Sequence, residues 1–255
     1  MGKVRGHVVT RQELALYDPP PPTATWRPTS HINTLDLVTE TLGNAGYKIT
    51  EQRLAVHRDG ARFFSVLDLA STVVEGLTLA IGIRNSYDQS FPYGLVGGTR
   101  TFVCSNLSFS GDLINVRRKH TLNGQARFRE ATSLAIANLA DFQQVERRRI
   151  ESFQGTPLED RDASHLILQA YRRDIISHRA LPHVIDHWEE PRHDFGPPSV
   201  YRLLQAFTSV LTDRVKTAPQ VFAAQTIALT GLLSGFVGLD SPDLNPTVQI
   251  VQEEV

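Results

Sequence analysis

The chain has few of the residues that would settle its class at once. A single cysteine among 255 residues, Cys104, excludes an intramolecular disulfide framework and a cysteine-rich zinc module. No apolar run approaches the roughly 20 residues that a membrane-crossing helix needs. The stretch Met1 to Glu13 is polar and mixed in charge, unlike a secretory signal. The formal net charge is −1, so any affinity for phosphate must come from a local patch. With 41% hydrophobic residues the chain can bury one large core or two modest ones, and a soluble cytoplasmic protein with no membrane partner is expected.

Charge is unevenly spread. Residues 156–255 are net acidic, whereas Leu113 to Arg129 holds Arg117, Arg118, Lys119, Arg127 and Arg129 and no acid. Clustered cations of this kind attract phosphate; the alternative is a solvated basic hairpin.

Three stretches follow one another. Residues 1–29 form a Pro-rich tail: Pro19 to Pro22 favours a polyproline II spacer or strap, and Trp26 is placed to pin it to the body. Residues 30–155 are sheet-rich. Ser30 caps a helix to about Asn44, with Ile32, Leu35, Val38 and Leu42 on one face. Strands are expected over Lys48–His57, Ala61–Ala70, Leu77–Asn85, Arg100–Phe109 and Leu113–His120, with a hairpin turn at Arg58-Asp59-Gly60. The Gly-rich run Gly94 to Thr99 reads as a connection between strands. Gln125 to Phe153 reads as one long helix near 125–153, with Phe128, Ala131, Ala135, Leu139 and Phe142 on its buried face. Residues 156–240 are helical and acidic, broken at Pro182, Gly196-Pro197-Pro198 and Pro219, and 241–255 form a C-terminal tail. The expected architecture is α+β: a mostly antiparallel sheet of about five strands packed with helices in one domain over 30–240, since the links are too short for helical crossovers.

Several residues carry candidate chemistry. Arg84-Asn85-Ser86 with Asp88 ends an apolar strand; Arg84 suits phosphate and Asn85 a base edge, while Asn, Ser and Asp also suit a turn. Tyr87, Phe91 and Tyr93 lie beside them and are candidates for stacking on bases. Cys104 alternates with Phe102, which places it as a buried structural thiol. His183 and His187, at i and i+4 with Asp186 between, are the best metal candidates, but they lack the H-E-x-x-H pattern and no metal is favoured.

Ile83-Arg84-Asn85-Ser86-Tyr87-Asp88 and Gly97-Gly98-Thr99-Arg100-Thr101-Phe102-Val103-Cys104-Ser105-Asn106 together resemble the phage- and plasmid-associated domain family of unknown function DUF932. Asp59 to Phe64 resembles the family's upstream hairpin. Val200 to Thr208 resembles its C-terminal helix, with Tyr201 and Gln205 where an aromatic residue and Asn are usual. The resemblance spans about Ser30 to Leu239. It implies a mobile-element context in phages and plasmids and no particular activity.

Two classes of function fit. The first is a non-catalytic nucleic-acid-binding protein of mobile elements, binding or annealing single-stranded DNA as a homo-oligomer. It would need no cofactor: Arg84, Asn85, Arg100, Arg117, Arg118, Lys119, Arg127 and Arg129 would contact phosphates and bases, with aromatic faces stacking. The second is a protein-interaction or host-defence-modulating factor. A metal-dependent hydrolase built on His183 and His187 is the third reading.

Overall fold

The computed structural model describes residues 7–101, 106–110, 114–212 and 219–239. The element order is β1 (His7–Val8), α1 (Arg11–Leu14), α2 (His31–Asn44), β2 (Ile49–His57), β3 (Arg62–Val74), β4 (Leu77–Ser86), β5 (Tyr93–Thr101), β6 (Leu107–Phe109) and β7 (Asn115–Arg118). It continues α3 (Gly124–Ala137), α4 (Leu139–Gly155), α5 (Asp160–Arg172), α6 (Leu181–Glu189), α7 (Val200–Leu211) and α8 (Pro219–Phe236). The class is α+β, and every strand pair is antiparallel.

Local sequence explains most elements. The Ser30 side chain accepts from the Asn33 amide and starts α2, whose Leu35, Val38 and Leu42 are buried. Arg58, Asp59 and Gly60 all take positive φ, which closes the β2–β3 hairpin. The sheet order is β1-β2-β3-β4-β5-β6, and β7 also pairs with β5. Here β6 and β7 follow one another along the same edge of β5. Gly97 spans the break: its carbonyl accepts from the Ser110 amide at 3.3 Å and its amide donates to the Ile114 carbonyl at 2.9 Å.

Four expectations need correction. The Gly-rich run 94–99 is the body of β5, not a connection. Its glycines are demanded by close approach from both faces. A Cβ on Gly97 would come within 2.8 Å of Phe142 Cζ, one on Gly94 within 2.6 Å of Arg84 Nε, and one on Gly98 within 2.6 Å of Phe109 Cδ1. Second, Arg100–Phe109 is not one strand. Arg100 pairs with Leu107 and the Thr101 amide donates to the Asn106 carbonyl, so its two ends lie side by side in β5 and β6. The alternation around Cys104, the position of Leu113 and the tail 241–255 fall outside the described residues. Third, the helical stretch over 125–153 is divided at Asn138, where the Asn138 side-chain amide donates to the Leu134 carbonyl at 2.9 Å and competes with the helix ladder. Fourth, Pro182, read as a break, lies in the first turn of α6.

Helices α2, α3 and α4 pack on one face of the sheet, over Val56, Phe63, Leu67, Leu79, Ile81, Ile83 and Leu95. At the sheet edge α8 covers β6: Phe222 meets Phe109 edge-on at 5.9 Å, and Thr226 Oγ1 accepts from the Phe109 amide at 3.1 Å. Helix α7 joins this layer to α4. Arg202 ties it to α6 by donating to the Trp188 and Glu189 carbonyls. The buried apolar cluster runs without a break from Val9 to Leu233. Described residues before Ser30 are laid against the body: β1 pairs with β2, Leu14 is buried, and Arg11 pairs with Asp36.

Gly97→Val should therefore force Phe142 and α4 off the sheet, at a cost of about 1–3 kcal/mol. Urea unfolding followed by circular dichroism checks this, and an unchanged midpoint would contradict the close approach of α4 to β5.

Candidate functional site

Antiparallel register gathers side chains that the sequence scatters. Phe64 on β3 pairs with Arg84 on β4, Arg84 with Gly94 on β5, and Gly94 with Arg117 on β7. Directly paired residues share a face, so Phe64, Arg84 and Arg117 form one row over the Gly94 backbone. By the period of two, Arg53, Arg62 and Arg100 stand on the same face. Phe64 and Arg84 are half-buried and Arg117 is exposed, so the row opens to solvent.

Phe91 supports the row from the β4–β5 loop. The Arg84 guanidinium carbon lies 5.4 Å from its ring centroid, that of Arg62 lies 5.9 Å away, and the Phe64 ring lies 5.2 Å away. The loop is held by Ser86 Oγ, which donates to the Phe91 carbonyl at 2.7 Å, and by Arg62 Nε, which donates to Asp88 at 2.7 Å. Phe91 is thus a buried prop under two cations, not an open stacking face.

The arginines of this face divide by partner. Arg53 contacts Glu51 and Asp68, Arg62 contacts Asp88, and Arg100 lies 3.5 Å from Asp68. Arg84 and Arg117 have no carboxylate partner among the described residues. Burial pushes the Arg84 guanidinium down to about 10, and the Arg117 charge beside it acts in the same direction. It stays charged at neutral pH, as a desolvated cation next to another cation.

The expected basic patch is only partly assembled. Arg117 joins Arg84. Arg118, one residue on, turns to the opposite face opposite Tyr93, and its Nη1 donates to the Arg117 carbonyl at 2.8 Å. Lys119 follows the end of β7. Arg127 and Arg129 are exposed on α3, which packs on the other side of the sheet. Arg100 shares the Arg84 face but stands six strand positions away, about 20 Å, beside Asp68.

Three further candidates are structural. Asn85 is fully buried on the helix-covered face; its amide donates to the Thr29 carbonyl at 2.8 Å and to His31 Nδ1 at 3.0 Å. Tyr87 stacks on the His31 ring at 3.7 Å, accepts from the His31 amide and donates to the Tyr17 carbonyl. Tyr93 is buried between Phe128 and His120, and its hydroxyl donates to Thr29. All three bind the N-terminal strap and α2 to the sheet. His183 and His187 lie along α6, with His183 Nδ1 3.9 Å from an exposed Asp186 carboxylate. Among the described residues no three His, Cys, Asp or Glu side chains come together as a metal site.

Sequence reasoning missed Phe64, His31 and His120. Phe64 follows Phe63 in a strand, and alternation alone says only that the two face opposite ways. The histidines gave no local signal, since their partners come from distant segments.

His31 sets a pH dependence. A carbonyl can only accept, so His31 Nε2 carries the proton donated to the Gly60 carbonyl at 2.8 Å, and Nδ1 accepts from Asn85. Burial lowers both His31 and His120 to about 4, below the ordinary 6.5. The unfolded chain then binds more protons, so stability is complete above about pH 6.5 and falls toward pH 4. The slope is about 1.4 kcal/mol per pH unit for each histidine. Unfolding free energies at pH 5 and pH 7 should differ less in His31→Gln than in the wild type; an equal difference would contradict the buried neutral ring.

No protein-family model, curated protein or solved structure matches this chain, and the functional reading rests on the site itself.

Proposed function

We propose that this protein binds single-stranded nucleic acid on the uncovered end of its sheet, without covalent chemistry. Phosphates sit on Arg84 and Arg117, and a base lies against the half-buried ring of Phe64. The observation that carries the reading is the row itself: an aromatic ring and two acid-free arginines aligned across neighbouring strands over a glycine. Cations tracking a backbone beside a ring that accepts any base are the parts of sequence-tolerant single-strand binding. The likeness to DUF932 supports a mobile-element setting. The fuller form of the proposal is strand annealing by a cytoplasmic homo-oligomer.

One observation favours the second reading, a protein-interaction factor. Helix α8 has no charged residue over Pro219–Phe236, and Val221, Ala224, Ala228, Gly231, Gly235 and Phe236 are exposed along it. No described helix is long and apolar enough to cross a membrane.

Salt-dependent binding of an oligothymidylate tests the first reading. Each phosphate neutralised contributes about 0.7 to the slope of log affinity against log salt. Arg84→Gln with Arg117→Gln should flatten the slope by about 1.4, whereas Arg127→Gln with Arg129→Gln leaves it nearly unchanged. Phe64→Ala should weaken binding by about 1–3 kcal/mol without changing the slope. Absence of any retention at low salt would end the nucleic-acid reading.

A further inference from the structure

We propose that Arg84 and Arg117, set on either side of the Gly94 backbone, form a discrete oxyanion subsite that takes one phosphate group in its own right. The inference deepens the reading above and rests on it only for the identity of the polymer.

The first ground is the pattern of pairing. Every other arginine on this face has a carboxylate: Glu51 and Asp68 for Arg53, Asp88 for Arg62, Asp68 for Arg100. Arg84 is more enclosed than an exposed surface cation and lies beside the like charge of Arg117, yet neither has an acid among the described residues. Enclosing a cation without an anion is costly, and a second cation beside it adds to the cost. A bound anion relieves both terms at once.

The second ground is shape. Position 94 has no side chain, and Arg84 occupies the space: its Cγ and Nε lie within 2.7 and 2.6 Å of where a Cβ would stand. The guanidinium lies over Phe91 at 5.4 Å. A cation held by a ring in this way has no acceptor there, so its N–H donors are left for one. Arg117 stands across the same glycine in register. Two forked donors on either side of a bare backbone suit a tetrahedral oxyanion, and arginine's planar fork suits phosphate in particular. The phosphate can belong to a nucleic-acid backbone, to a terminal phosphate or to the free ion.

The test uses the full chain and inorganic phosphate. Thermal unfolding and titration calorimetry compare phosphate with chloride at equal ionic strength. Phosphate should raise the midpoint of the wild type above chloride. Arg84→Gln and Gly94→Ala should each lower phosphate affinity about tenfold or more, because the forked contact is lost or displaced. Arg84→Gln also removes an unpaired, partly desolvated charge, so in phosphate-free buffer it should not lower the midpoint. Arg117→Gln, at an exposed position, provides a variant whose folding is not at issue. Equal midpoints for wild type in phosphate and chloride would overturn the subsite, and so would full phosphate affinity in both Arg84→Gln and Gly94→Ala. Phosphate binding that depends on Arg84, with no retention of oligothymidylate, leaves the subsite standing and removes the polymer. Oligothymidylate binding that depends on Arg84 but is indifferent to inorganic phosphate removes the discrete subsite and leaves the polymer reading. Oligothymidylate with and without a 5′-phosphate separates the sources: tighter binding with the 5′-phosphate assigns the subsite to a terminal group, equal binding assigns it to a backbone group, and weaker binding with it counts against the subsite.

Discussion

Where β5 crosses the sheet, side chains from its neighbours already fill the space that its own would need. Gly97 lets Phe142 of α4 reach the strand from one side, and Gly98 lets Phe109 lie against it from the other. Gly94 does the same for Arg84. Both faces of the protein depend on this strand. Loss of the Gly97 contact would lift α4, and with it the α7 layer that packs on α4. Loss of the Gly94 contact would swing Arg84 out of the row. Glycine in a strand interior sacrifices packing and chain entropy. The fold recovers stability through the aromatic rings that close over those positions.

At the end of β4 the two faces of the sheet are finished in different ways. On the helix-covered face, Asn85, Tyr87 and Tyr93 bind His31, Thr29 and Tyr17, so the end of β4, the residue after it and the start of β5 together anchor the N-terminal strap. On the other face, the preceding residue, Arg84, stays without an acid. Strand alternation makes adjacent residues serve opposite purposes: Arg84 faces the row and Asn85 faces the core.

Helix periodicity, caps and turn residues were readable in the amino-acid order. Ser30, the apolar stripe of α2, the Arg58-Asp59-Gly60 turn and the buried face from Phe128 to Phe142 all follow from rules that operate within a few residues. The strand β5 was not readable, because dense glycine has the local signature of a loop, and the reason for it lies in side chains from β4, β6 and α4. The divided helix was hidden for a related reason: Asn138 fits a helix by spacing, and where α3 gives way to α4 its side chain shares the Leu134 carbonyl with its own backbone amide. For the site, Arg84 and Arg117 were legible as cations. Their union was not, since Gly94 joins them through register. Asn85, Tyr87 and Tyr93 have the chemistry of ligand-binding residues, and only the position of the strap shows that their ligand is the chain itself.

If single-stranded nucleic acid is bound as proposed, one particular sheet surface receives it. Ultraviolet crosslinking of the full chain to oligothymidylate, with the attachment site located by mass spectrometry, tests this directly. Attachment is expected within β3 at Phe64, lost in Phe64→Leu and suppressed by Arg84→Gln. Attachment confined to α3 or α8, with Phe64 unmodified, would contradict it.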